Sequence, residues 1–250
     1  MTTTPFLCEQ RTDEWRQARA GKVTASAIDA VLSTPKKGST ETAGRVNYRA
    51  QLIAEILTGK PVDDEFCSRQ MQWGIDCEPF ARAAYELQQD VSIETVGFVL
   101  HPVIECFGAS PDGFIGDEGL VQFKCPNTAT HLGYLLRGEV PTDYQPQMLA
   151  EMACTGRQWC DFVSFDPRLP PHLQLFVRRF PRNEKHVAEI EQKVEAFLDE
   201  VHEMLVRLSC IGDLTDLLQA SVEQAKAKRG PQPIVYVMDR RNDDEVQGAD

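Results

Sequence analysis

From Val187 the chain continues through Ile190, Val194, Phe197, Val201, Met204 and Leu208, apolar residues separated by alternating steps of three and four. Steps of that size return to one side of a 3.6-residue helix, so the spacing predicts a long amphipathic helix with Asn183 as its cap. Such a stripe has to be covered, either by the core of its own chain or by a subunit seam. The preceding residues change period. Val96–Leu100, Ile104–Gly108, Leu120–Cys125, Trp159–Phe165 and Leu173–Phe180 are short β-type runs broken by Pro, Gly and Asp, which predicts a meander or mixed sheet.

Helical segments surround these runs. One starts at Thr12, with Asp13 and Glu14 in its first turn, and Arg19 to Lys22 is a tight connection to a second over Thr24–Leu32, capped by Thr24 or Ser26. Others are predicted over about Tyr48–Leu57, ending at Gly59, over about Ile75–Gln89 with Glu78 in its first turn, and over about Asp143–Cys154. Lys36–Gly44 reads as a mobile polar loop, and residues 230–250 as a Pro-containing, acidic, frayed end. The expected fold class is α/β, a mixed central sheet flanked by helices. It forms one domain over residues 1–250, with an N-terminal helical part (about 1–60) and a C-terminal helical extension (about 183–250).

Composition narrows the function. With 250 residues, 42% of them apolar, the chain can bury a sizeable core and is not disordered for most of its length. No apolar run approaches the roughly 18–20 residues that cross a bilayer, and Met1–Gln10 lacks the apolar core of a signal peptide, so a cytoplasmic protein without a membrane partner is expected. The eight cysteines (8, 67, 77, 106, 125, 154, 160, 210) contain no CxxC pair and accompany no HxxxH. Reduced thiols, mostly buried as small apolar groups, are expected in place of a zinc or iron–sulfur site. The net charge is −12, yet residues 1–49 hold eight Lys and Arg against five Asp and Glu. A basic region on an acidic body is compatible with local binding of nucleic acid, and equally with an ordinary solvated charge mixture.

The chemistry concentrates between Gly108 and Pro126. Ser110-Pro111-Asp112-Gly113 is turn chemistry that leaves the Asp112 carboxylate at the end of a strand. Ten residues later, Val121-Gln122-Phe123-Lys124 alternates, so Gln122 and Lys124 share one face and Val121, Phe123 and Cys125 the other. A turn at Gly116–Gly119 can fold the first face back against Asp112. A lysine buried among oxygen ligands suits a site better than a core, and hard oxygen donors without clustered His or Cys select Mg2+ or Mn2+. Phosphodiester hydrolysis fits that set, and an exposed turn followed by an ordinary strand fits the bare spacing too.

The segment resembles the PD-(D/E)xK nuclease signature, and its surroundings resemble the phage lambda exonuclease, or viral recombinase/alkaline exonuclease, family. Four blocks carry the likeness: Trp15…Arg19-x-Gly21-x-Val23-Thr24-Ala25-Ser26; Trp73-Gly74-x-x-x-Glu78; Ser110-Pro111-Asp112-Gly113…Lys124-Cys125-Pro126; and Tyr144-Gln145-x-Gln147. The resemblance implies a restriction-endonuclease-like core and a Mg2+-dependent exonuclease that digests one strand of linear duplex DNA from its 5′ end. It also implies a homotrimeric ring and 3′ single strands handed to an annealing protein. Carried onto this sequence, Asp112, Glu78 and the Phe123 carbonyl become metal ligands, and Lys124 the catalytic lysine. Arg19, with Ser26 and Ser110, would hold the 5′-phosphate, and Gln147 would lie near the attacking water. Their alternative roles are a solvated helix acid for Glu78, caps or turns for the serines, and a helix-surface amide for Gln147.

At Gln122 the sequence departs from the family's Glu. An amide retains one oxygen for coordination but removes a full negative charge, so weaker metal binding and slower cleavage are expected. A change introduced to trap uncleaved DNA is the preferred explanation, because every other site position is intact. A natural variant that still cuts and a lapsed, DNA-end-binding module are the alternatives.

Overall fold

The computed structural model describes residues 8–35, 38, 40–62 and 68–209. In chain order the elements are α1 (Asp13–Arg19), β1 (Val23–Thr24), α2 (Ile28–Leu32), α3 (Ala43–Thr58), α4 (Arg69–Gln89), β2 (Val99–Leu100), β3 (Phe107–Ala109), β4 (Gly113–Ile115), β5 (Gly119–Lys124), α5 (Thr128–Arg137), α6 (Gln145–Thr155), β6 (Trp159–Phe165), β7 (Leu175–Pro181) and α7 (Glu184–Ser209). The strands form two sheets. In the smaller, β3 lies between β1, to which it is parallel, and β2, to which it is antiparallel; the larger runs β4-β5-β6-β7 and is parallel only at β5–β6. A parallel pair needs a long crossover, and α5 and α6 provide it.

The larger sheet is covered on both faces. Along β5, Val121 and Phe123 join Ala81 and Tyr85 of α4 and Val163 and Phe165 of β6 in one apolar cluster. Leu120, on the opposite face, joins Phe162 and the α6 residues Met148 and Met152 in the main core. That core also takes in Val187, Ile190, Val194, Phe197 and Val201 of α7, so the stripe is covered by the chain's own core, while Met204 remains partly exposed. The Asn183 side chain does cap α7, accepting from the His186 N–H at 3.2 Å. Between sheet and α7, helix α6 is buried at every position from Met148 to Cys154.

Several boundaries differ from expectation. Thr24 belongs to β1, and neither Thr24 nor Ser26 caps the short 3-10 turn and helix that follow. The N-terminal part is therefore not wholly helical. Thr42 caps α3, which begins at Ala43 and ends at left-handed Gly59 as expected, so Gly44 lies inside a helix. Ser68 caps α4, placing Glu78 mid-helix, just before Pro79, and not in the first turn. Helix α5 was not foreseen; its signals are Asn127 as N-cap and left-handed Gly138 after its end, and β-branched Thr and an internal Gly obscure its period. The short strand β4 lies where only a turn was expected, and β2 and β3 are shorter than their apolar runs.

The described cysteines form no disulfide; Cys77, Cys154 and Cys160 are buried, whereas Cys106 is exposed. Among the described residues no helix is long and apolar enough to cross a membrane. Cys67, Cys210, Lys36 and Lys37 of the polar loop, residues 1–7 and everything from 210 to 250 lie outside the described residues.

Candidate functional site

Strand β4 pairs antiparallel with β5, Gly113 opposite Val121, and the turn between them passes through left-handed Gly116. A Cβ on Gly113 would stand 2.1 Å from the Ile93 side chain, so the strand approaches its neighbour as only glycine permits. This hairpin carries Asp112 back beside β5, where its Oδ2 accepts the Phe123 N–H at 2.7 Å. The Asp112 carbonyl accepts from Arg82 at 2.6 Å. The acid is thus fixed through both side chain and backbone. Burial pushes its pKa up to about 6 against the pull of the Lys124 ammonium, with nearby Glu78 adding to the rise.

Gln122 and Lys124 share the α6 face of the sheet, as the alternation predicted. The Lys124 ammonium lies 5.0 Å from the centre of the Tyr144 ring, and that ring stacks on Phe162. Gln122 is only 1% exposed, and neither its amide oxygen nor its amide nitrogen has a hydrogen-bond partner. Each such orphan costs roughly 1–3 kcal/mol. Glu78, on α4, is paired with Arg11 at 2.6 Å. Pro79, having no N–H, leaves the Ile75 carbonyl without its intrahelical donor beside this acid.

Gln147 is half-buried and donates to Oε1 of Glu151 at 2.8 Å. Glu151 itself was not anticipated. It is 2% exposed, its Oε2 has no partner, and burial, then the Asp112 charge, push its pKa up to about 8. The available signal was a lone acid in an apolar run, four residues after a glutamine. Arg11 and Arg82 also escaped sequence reasoning, because their roles depend on chain crossings that no spacing reports.

A second cluster adjoins the first through Ser110. The Arg19 guanidinium lies over the Trp15 ring at 4.2 Å and donates to Ser110 Oγ at 3.3 Å and Ser26 Oγ at 3.1 Å. The Trp15 indole donates to the same Ser110 oxygen at 2.8 Å. Arg19, Ser26, Trp15 and Lys22 line a cleft of about 460 Å³. A guanidinium held by hydroxyls in a cleft matches the geometry of a phosphate or carboxylate. Every expected site residue therefore falls into one of two adjoining groups, joined by the Ser110-Pro111-Asp112 link.

The donors suit a hard cation: carboxylates at 78 and 112, and a buried amide oxygen at 122 that nothing in the protein satisfies. Among the described residues, no three His, Cys, Asp or Glu side chains form a ready-made cage.

Fold and site together define a mixed α/β protein with an acidic, lysine-bearing cluster along β5 and an arginine-lined cleft adjoining it. Residues 14–158 match the YqaJ-like viral recombinase domain, and the chain belongs to that family. It is 46% identical to an alkaline exonuclease, LHK-Exo, solved in complex with dAMP, over 79% of this chain and 96% of that one, with a TM-score of 0.72. The crystal structure of the same enzyme from Laribacter hongkongensis gives 45% identity over 79% and 96% of the two chains, with a TM-score of 0.71. A phage-related exonuclease from Haemophilus somnus 129PT shares the fold at 14% identity, covering 75% and 96% of the two chains with a TM-score of 0.58. Among curated proteins none matches.

Proposed function

We propose that this protein is a Mg2+-dependent exonuclease, with Mn2+ as a competent substitute, that degrades one strand of linear duplex DNA from a 5′-phosphorylated end. In this reading it leaves 3′ single strands for a single-strand annealing protein in phage-type recombination, and acts as a homotrimeric ring. Supporting it is the alkaline exonuclease the chain resembles, solved with a nucleoside monophosphate, the kind of product such cleavage releases. The observation that carries it is Asp112 locked onto the Phe123 N–H, with Lys124 as its neighbouring cation, two residues along the chain from the Ser110 hydroxyl that Arg19 holds.

Asp112, Glu78, the Gln122 amide oxygen and the Phe123 carbonyl would hold the metal. When bound, a divalent ion supplies Lewis acidity at a phosphoryl oxygen and lowers the pKa of water. Arg19 binds the terminal 5′-phosphate through its planar fork, with the Ser26 and Ser110 hydroxyls fixing the same group. Lys124 orients the attacking water and balances negative charge at the scissile phosphate. Gln147 holds the carboxylate of Glu151 in place. Enclosure of DNA by a ring would hold substrate without many charge pairs, which is compatible with the net charge of −12.

The amide at 122 supports a second reading, a DNA-end-binding module that does not cut. End-labelled linear duplex incubated with Mg2+ separates the two. The enzyme releases labelled nucleotides from linear DNA, spares covalently closed plasmid, and stops on Asp112→Asn. Binding without release at any metal concentration selects the module.

A further inference from the structure

We infer that Glu151 supplies the carboxylate that Gln122 lacks, so that the site's charge comes from helix α6 and not from strand β5. This rests on the metal-dependent nuclease reading above. Gln122 stands on the α6 face of β5 with both amide atoms unsatisfied, and Glu151 stands in α6, equally enclosed, with Oε2 unsatisfied. Among seven consecutive buried residues of α6, Glu151 is the one carboxylic acid, and its flanking side chains are apolar. The charged groups that act on it most are Asp112 and Lys124, members of the site just described.

A structural role does not account for this carboxylate. Asp161 is buried to the same 2% exposure, but it receives the Tyr85 hydroxyl at 2.7 Å and two Arg179 donors at 2.9 and 3.0 Å. Glu151 receives one neutral amide, from Gln147. A carboxylate left so poorly compensated is costly unless it titrates or meets a cation. Two orphaned oxygens, Gln122 Oε1 and Glu151 Oε2, the latter within the electrostatic reach of Asp112, match a cation's need for oxygen donors.

The inference also explains the amide. A second carboxylate on β5 at this position, together with Glu151, would place two like charges in one buried space, which disfavours ionising both. Gln122 with Glu151 carries the same formal charge as the reversed arrangement, in which the strand bears the acid and the helix the amide. On this view the chain is not impaired by Gln122, and Gln122→Glu alone brings no gain.

The test measures Mn2+ binding by full-length protein, through the loss of the free-ion paramagnetic resonance signal, with circular dichroism to verify folding. Five proteins are compared: unaltered, Asp112→Asn, Glu151→Gln, Gln122→Glu and the Gln122→Glu/Glu151→Gln double variant. The expected result is that Glu151→Gln, nearly isosteric, weakens Mn2+ binding by about tenfold or more, as loss of a ligand or its immediate support does. Gln122→Glu alone binds no more tightly than the unaltered chain, and the double variant regains most of the loss. The half-saturating Mg2+ concentration for DNA digestion moves in the same order. Unchanged Mn2+ affinity in Glu151→Gln, alongside a loss in Asp112→Asn, overturns this inference and leaves the nuclease reading standing. A double variant that folds but stays as weak as Glu151→Gln also overturns it. No Mn2+ uptake by the unaltered chain removes both.

Discussion

Asp161 and Glu151 are acids buried to equal depth on opposite faces of the same sheet, yet their surroundings differ in kind. Asp161 lies on the α4 face among Tyr85, Val163 and Phe165, and its oxygens are met by a hydroxyl and a guanidinium. Glu151 lies in α6, on the other side of the sheet, and has one neutral donor. A closed polar network stabilises a fold; an open one of similar depth is a cost that folding alone does not explain. Alternate residues of β5 separate the two: Val121 and Phe123 serve the first face, Gln122 and Lys124 the second.

Variants on each face should therefore fail differently. The largest effect is expected from Asp112→Asn, which should slow nucleotide release by about a thousandfold, the scale on which a preorganised charged group acts, while thermal unfolding stays intact. Unfolding at a lower temperature with undiminished cleavage would place Asp112 with the structural acids. Arg179→Ala should do the reverse, lowering stability to denaturant by about 2–3 kcal/mol by stripping Asp161 of its cation. That is below the usual cost of breaking a buried pair because Arg179 is itself half exposed. Activity per folded molecule should not change, and a loss of cleavage would erase the distinction between the faces.

The pH dependence of stability sharpens the comparison further. Burial raises both Glu151, to about 8, and Asp112, to about 6. In metal-free protein the folded chain thus keeps protons that the unfolded chain has released above the ordinary carboxylate range. The contribution of these acids is full while both are protonated in either state. It declines as pH rises above that range, more gently past about 6 where folded Asp112 ionises, and levels off past about 8. Scanning calorimetry in chelator should show this, with a slope on the order of 1 kcal/mol per pH unit over the stretch that Glu151 alone controls. Glu151→Gln should flatten that upper stretch, from about pH 6 to about 8, and Mg2+ added near its top should raise the melting temperature of the unaltered chain. A flat profile would mean that Glu151 is compensated after all. The smallest effect is expected from Arg19→Ala, which should reduce the preference for 5′-phosphorylated over 5′-hydroxyl ends by about tenfold, the scale of one charge-assisted contact. Equal losses on both ends would remove Arg19 from phosphate recognition.

Much of this was legible in the sequence where local rules decide. The α7 stripe and the alternation along β5 are short-range patterns, and they appear in the structure with the expected faces; the chain reverses after Asp112 through the Gly116–Gly119 turn, as expected, whereas Ser110–Gly113 runs into strand β4. Arg19, Ser26 and Ser110 were brought together by the family resemblance, and they do meet. Helix α5 was hidden because its buried residues include His131, held by Ser164 and the Leu173 carbonyl, which no apolar period reveals. Glu151 was hidden for a deeper reason. An acid on a helix ordinarily reads as solvated surface, and only the closing of α6 between sheet and α7 makes it a buried charge.

The short Ser110-Pro111-Asp112 link has one further consequence. Two residues of extended backbone span no more than about 7 Å, and Pro111 stiffens that span. In the proposed reaction a DNA end seated against Ser110 meets Asp112 at an offset set by covalent geometry, so the link acts as a gauge. The spacing between the two contacts is then written into three residues of main chain and independent of how fast the strand is fed.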